Sequence, residues 1–158
     1  MKRAVLPGTF DPFTNGHFDI LLRGLRIFDE VIIAVAPNPK KQPTFTIEER
    51  IELIREATKD IGNIKVEPFS GLLVEYVKSK RASAVIRGLR AVSDFEYEFQ
   101  MALMNRSLDA EVETVFLTPS LEYTFLTATI IKEVASYGGC VTGLVPENVE
   151  RALKAKFK

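Results

Sequence analysis

Apolar positions along the chain fall into two alternating patterns. Five short runs are apolar and rich in β-branched residues: Arg3–Pro7, Val31–Ala36, Ile64–Phe69, Ala84–Arg87 and Val112–Leu117. A strand with one wet face alternates apolar and polar side chains, whereas several of these runs are apolar throughout. They read as strands covered on both faces, which predicts a parallel sheet between helix layers. Between the runs the spacing becomes helical. Phe18, Leu21, Leu22, Leu25 and Phe28 fall on one helix face. Thr46 with Glu49 and Ser93 with Glu96 match the capping box, so helices are expected to start near residues 47 and 94. Leu72–Lys80 is a third helical segment. Gly138-Gly139 would stop a helix over residues 128–137, and Pro146 would open the last one as its first-turn proline. The order β-α-β-α-β-α-β-α-β-α-α predicts one domain over residues 1–158. Its class is α/β, a doubly wound five-stranded parallel sheet of Rossmann-like type with a C-terminal helical extension.

The segment 94–107 departs from simple amphipathicity. Phe95, Phe99, Ala102 and Leu103 form one stripe, and Tyr97, Met101 and Met104 form another. A helix apolar on two sides needs two covers, and in so small a domain the second is expected to be another subunit.

Composition narrows the function classes. Lys plus Arg and Asp plus Glu are both 21, so no overall charge holds the chain to nucleic acid or an anionic membrane. A local basic pocket stays compatible with that balance. The single cysteine, Cys140, cannot form an intrachain disulfide or a zinc cluster, and reads as a small apolar residue beside two glycines. The apolar run in MKRAVLPGTF is too short for a signal peptide. No apolar stretch approaches the roughly 20 residues of a membrane span, so a soluble, cytoplasmic protein is expected.

Candidate chemistry lies in the loops that follow the strands. In a doubly wound sheet the ligand sits beyond the carboxyl ends of the strands, where the strand order reverses. The first such loop, Pro7 to His17, has Gly8 and Gly16 for close backbone approach, the Thr9 hydroxyl, and the only histidine, His17, in the first turn of a helix. It is neither a dinucleotide fingerprint nor a phosphate loop, so phosphates must be held differently. Arg87-Gly88-Leu89-Arg90 follows strand four, which the order 3-2-1-4-5 sets beside strand one. Two guanidiniums would face His17 there, in a form suited to phosphate. Pro37–Pro43 presents Lys40 and Lys41 at the same sheet edge. Tyr123-Thr124-Phe125-Leu126-Thr127-Ala128-Thr129, with Lys132 beyond, brings hydroxyls into a helix start, where they can cap the helix or donate to a terminal phosphate. Together these loops describe a polyphosphate site. No nucleophilic Ser or Cys has an adjacent base and no carboxylates cluster, which leaves phosphoryl or nucleotidyl transfer by positioning and charge stabilisation.

The motifs carry a resemblance. Thr14-Asn15-Gly16-His17 resembles the [HT]-x-G-H motif of the α/β nucleotidyltransferase superfamily. P-G-T-F-D-P-x-T-x-G-H, I-R-G-L-R and D-F-E-Y-E together look like the phosphopantetheine adenylyltransferases, over essentially the whole chain. The resemblance implies that ATP and 4′-phosphopantetheine give dephospho-coenzyme A and pyrophosphate, with Mg²⁺ whose ligands stay unknown. It also implies a homohexamer and coenzyme A as a feedback ligand. By the same analogy Thr9, Lys41, Leu73 and Arg87 would contact phosphopantetheine. Thr9, Phe10, His17, Gly88, Leu89, Arg90, Glu98 and Tyr123–Thr129 would hold ATP, and His17, Thr9, Lys41 and Arg90 would be catalytic. The sequence departs from the family at Ala128, which has no hydroxyl where relatives commonly carry one. Two rivals remain at this point: a superfamily member acting on nicotinate mononucleotide or a phospho-alcohol, and a non-catalytic nucleotide-sensing module.

Overall fold

The computed structural model describes residues 1–37, 42–90 and 92–158. Five parallel strands, β1 (Arg3–Gly8), β2 (Glu30–Val35), β3 (Ile64–Pro68), β4 (Ala84–Gly88) and β5 (Glu113–Leu117), lie in the order β3-β2-β1-β4-β5. Between and after them run α1 (Asn15–Leu25), α2 (Ile47–Ala57), α3 (Leu73–Ser79), α4 (Val92–Leu108), α5 (Ala128–Ser136) and α6 (Glu147–Lys156). The expected strand order is the observed one.

The period-two rule accounts for the continuous apolar runs. Ala4, Leu6, Val31, Ile33, Val35 and Ile86 point to one face, against Ile20 and Leu21 of α1 and Ile51 and Ile54 of α2. Their neighbours Val5, Ile32, Ala34 and Val85 point to the other, against Val74 and Val77 of α3. Each central strand is therefore apolar on both sides. The C-terminal extension has its own core, in which Ile131 of α5 and Val149 and Leu153 of α6 close on Phe45 and Leu126. The Asn148 amide ties α6 to α2 by donating to the Leu53 carbonyl at 2.9 Å. No helix among the described residues is long and apolar enough to cross a membrane.

Where the sheet opens decides where a ligand can enter. β1 pairs with β2 along its whole length to Gly8↔Val35, and β4 with β5 to Gly88↔Leu117. Between β1 and β4 the ladder ends at Val5↔Val85. Beyond that point the two strands part, and the crevice falls at the reversal of strand order.

Most element boundaries differ from expectation by a residue or two, and two of these differences have a visible cause. α4 starts at Val92, so Ser93 is inside the helix rather than its cap; Asp94 reaches back to the Arg90 amide and guanidinium and closes the preceding turn. Pro146 takes the cap position and Glu147 is the first helical residue of α6. The Thr46–Glu49 capping box does form, with Glu49 N–H donating to the Thr46 hydroxyl at 3.1 Å and the Glu49 carboxylate accepting from Thr46 N–H at 3.0 Å. Thr46→Ala is expected to cost about 1 kcal/mol of stability in urea unfolding, with turnover unchanged. Gly138 stops α5 with φ +74°, a conformation that disfavours any side chain.

Candidate active site

A cleft of about 400 Å³ occupies the crevice. One wall is the β1–α1 loop and the first turn of α1. Facing it are the end of β4 and the start of α4, and the start of α5 closes the third side. Gly88 lets α1 lie close against β4, because a Cβ there would come 3.1 Å from Ile20.

His17 belongs to the helix cap itself. Thr14 caps α1, its hydroxyl accepting from the His17 amide at 3.3 Å, while the Thr14 N–H donates to Nδ1 of the imidazole at 3.0 Å. The cap therefore sets how the imidazole stands at the edge of the cleft. A main-chain N–H can only donate, so Nδ1 is an acceptor and the ring proton sits on Nε2. Among the described residues nothing accepts that proton. Phe10 packs edge-on against the imidazole at 5.0 Å and Phe13 stacks on it at 5.7 Å. Burial first, then the charges of Arg90 and Arg87, lower the His17 pKa to about 4. The imidazole is thus a neutral donor at physiological pH.

The unfolded chain takes up a proton near 6.5, and the folded site does not until about 4. The neutral histidine's contribution to stability is therefore complete above 6.5 and is lost as pH falls toward 4. NMR titration of the single imidazole is expected to give a midpoint near 4 with Nε2 protonated above it; a midpoint near 6.5 would contradict the assignment.

Among the described residues each cation of the cleft is held by a carboxylate. Arg87 donates from Nε and Nη2 to the two carboxylate oxygens of Glu98, both at 2.7 Å, and from Nη1 to the Pro7 carbonyl at 3.0 Å. That last bond bridges β1 and β4 where the ladder has ended. Arg90 pairs with Asp94 at 3.0 Å and donates to the Leu126 carbonyl at 3.0 Å. Lys132 reaches Asp11 at 3.3 Å. Among the described residues the loops after β1, β4 and β5 converge as expected, while Lys40 and Lys41 after β2 lie outside them; Arg87, Arg90 and Lys132 arrive paired, so the site is oriented in advance rather than simply basic.

A second cavity, of about 300 Å³, adjoins the first. The two share Pro7, Gly8, Thr9, Arg87 and Glu98, which therefore partition them. Phe69 and Leu73 line its far side, and Tyr97, Met101 and Asn105 of α4 complete it. Of the expected phosphopantetheine contacts, Thr9, Leu73 and Arg87 meet there; Lys41 lies outside the described residues.

The expected ATP set is mostly brought together. Thr9, Phe10, His17, Gly88, Arg90 and Glu98 line the large cleft, as do Tyr123, Leu126 and Thr127–Thr129. Thr127 also caps α5, accepting from Ile130 N–H at 3.0 Å, so its hydroxyl serves the helix. Three residues are not brought in. The Leu89 amide donates to the Leu117 carbonyl, the Thr124 hydroxyl donates to the Leu121 carbonyl, and Phe125 is exposed.

Sequence reasoning missed two buried charges. Asp11 is 3% exposed and accepts from the Thr44 and Phe45 amides, both at 2.9 Å. Arg50, also 3% exposed, donates to main-chain carbonyls behind the β1–α1 loop. Asp11 stands in the first motif, but no role follows there from its place between Phe10 and Pro12. Arg50, four residues after a cap, looks like any surface position of a helix.

A parallel sheet in this order, opening at its reversal point on a cleft lined by His17 of α1, Arg87 and Arg90, has the layout of a nucleotidyltransferase. A sequence model of the cytidylyltransferase-like family matches residues 5–134. A solved bifunctional NMN adenylyltransferase/ADP ribose pyrophosphatase from Francisella tularensis superposes with TM-score 0.73 at 16% identity, over 98% of this chain and 49% of that one, which shows the shared fold. Similarity in sequence reaches further. A phosphopantetheine adenylyltransferase of Dictyoglomus turgidum is 56% identical over 158 residues, covering 100% of this chain and 99% of the relative. One of Thermodesulfovibrio yellowstonii is 57% identical, covering 99% and 98%. The chain belongs to the phosphopantetheine adenylyltransferase family, within the cytidylyltransferase-like group.

Proposed function

We propose that the enzyme transfers the adenylyl group of ATP to 4′-phosphopantetheine, giving dephospho-coenzyme A and pyrophosphate in coenzyme A biosynthesis. The observation that carries this reading at the site is the pair of adjoining cavities, which meet at Thr9, Arg87 and Glu98. The larger takes ATP and the smaller, with Leu73 and Met101 in its wall, takes the pantetheine arm. A phosphate oxygen of the acceptor attacks the α-phosphorus in line, the bond to the β-phosphate oxygen breaks, and its electron pair leaves on pyrophosphate. The attacking group is already an anion, so no general base is required. His17 Nε2–H and the Thr9 hydroxyl donate to the α-phosphate oxygens as charge builds there, Lys41 aligns the attacking phosphate, and Arg90 with the start of α5 holds the leaving group.

Mg²⁺ does not fit as an ion caged by the protein. Among the described residues no three His, Cys, Asp or Glu side chains could hold a metal, and Asp11, Asp94 and Glu98 are each committed to a cation. Any Mg²⁺ would be carried by the phosphate oxygens and water. A homohexamer is supported by α4, whose Tyr97, Leu103, Met104 and Leu108 stand exposed in the single chain. Coenzyme A, which contains both product halves, would occupy the same two cavities as a feedback ligand. We place the enzyme in the cytoplasm with its substrates.

The test is pyrophosphate release from ATP with a panel of acceptors. Release is expected with 4′-phosphopantetheine and not with nicotinate mononucleotide. Release with nicotinate mononucleotide alone, or ATP binding with no release from any acceptor, would overturn the reading.

A further inference from the structure

Arg50 is an arginine sealed inside the protein at the fourth position of α2, 3% exposed, and the mechanism above does not use it. Each bond that the described residues offer its guanidinium goes to a main-chain carbonyl. Nη1 donates to Thr9 at 2.7 Å and Ala36 at 2.9 Å, and Nε donates to Phe45 at 3.2 Å and Thr46 at 3.4 Å. These carbonyls come from three separate segments: the loop after β1, the end of β2, and the lead into α2. A buried charge spread over neutral dipoles gains less than one paired with a carboxylate, so helix stability alone is a weak reason for it.

The segment it grips most tightly is the one that matters for transfer. Thr9 lines both cavities, and the next residue, Phe10, holds φ +52°. A non-glycine residue in that region persists only where its surroundings over-determine it. Phe10 in turn packs edge-on against the His17 ring. From the opposite side Asp11 accepts the Thr44 and Phe45 amides, so the 44–46 segment is clamped by its N–H groups and by its carbonyls at once.

We infer that Arg50 is a positioning residue for adenylyl transfer, holding the Thr9 peptide so that the Thr9 side chain stays between donor and acceptor. The inference rests on the proposed reaction. The fork geometry is the point: one planar guanidinium spans the Thr9 and Phe45 carbonyls together, whereas a lysine ammonium is a single point on a flexible stem.

The experiment is a double-mutant cycle read by pyrophosphate release. Arg50→Lys is expected to lower kcat roughly tenfold or more, as misplacement of a reacting group does, with the KM for ATP nearly unchanged. Arg50→Gln, which keeps planar donors without the charge, is the second variant, and circular dichroism follows folding of both. In a Thr9→Ala background the further loss from Arg50→Lys is expected to shrink below about twofold, because the group it positions is gone. Thr46→Ala controls for stability and should leave kcat unchanged. A folded Arg50→Lys or Arg50→Gln with wild-type kcat would overturn the inference, as would the same fold-loss with and without Thr9. Failure of the wild-type enzyme to release pyrophosphate would instead overturn the reaction on which it rests.

Discussion

His17→Ala should lose roughly 10²–10³ in kcat while binding ATP nearly as tightly as the parent, the usual result of deleting one preorganised donor to a developing charge. The split follows from when the bond is needed. In the ground state the triphosphate is gripped by several groups of the cleft, so one missing donor changes little. In the transition state charge gathers on the α-phosphate, and only interactions that strengthen there accelerate the step. The Nε2–H qualifies because its orientation is set before substrate arrives: the Thr14 N–H holds Nδ1 at 3.0 Å, and Phe10 and Phe13 fix the ring plane. The substitution also breaks half of the α1 capping box. That costs about 1 kcal/mol, too little to unfold the domain, so a folded protein with poor turnover is the expected outcome. Measuring kcat beside calorimetric ATP affinity checks it; a loss of affinity with kcat retained would mean that His17 serves binding only.

Asp11→Ala should be among the most destabilising single substitutions in the cleft, at about 3–5 kcal/mol. The carboxylate is 3% exposed, and its removal strands the Thr44 and Phe45 amides together with Lys132. Those partners belong to the lead into α2 and to α5, so the loop after β1 loses its hold on one wall of the site and on the segment behind it at once. For a domain of this size each kcal/mol lowers the melting temperature by roughly 2–4 °C, which predicts a fall of about 6–20 °C in a thermal scan. Asp11→Asn keeps one acceptor and should fall between the two. A change within 2 °C of the parent, a figure set by that same scaling, would mean that the buried pair contributes nothing net.

How much of this was legible beforehand depends on the range of the interaction. The sheet could be read because each strand carries its own local signal: the unbroken apolar runs of β1 and β2 record burial on both faces. The candidate site could be read because the Pro7–His17 loop and the Arg87–Arg90 loop each pack several cleft-lining residues into a few positions, and the strand order then sets them side by side. The way the Thr14–His17 cap fixes the tautomer was not legible even there, because it depends on which ring nitrogen meets the Thr14 amide. The pairing of the cations was not legible. Arg87 with Glu98 and Lys132 with Asp11 join residues 11 and 121 positions apart, and no local pattern reports such a bond. Arg50 was invisible for the same reason, since its partners are carbonyls, which every residue has. The start of α4 was misplaced because Ser93 and Glu96 satisfy a local rule that the Arg90–Asp94 contact overrides.

Whether His17 works as a neutral donor or as an acid or base shows in one ratio. The turnover of wild type divided by that of His17→Ala, measured from pH 5 to 8, cancels the ionisation of the substrates because both enzymes experience it. With the His17 pKa near 4, the ratio should be flat across the range. A ratio that collapses below pH 6.5 would make His17 a general base, one that collapses above it would make His17 a general acid, and either would contradict the account.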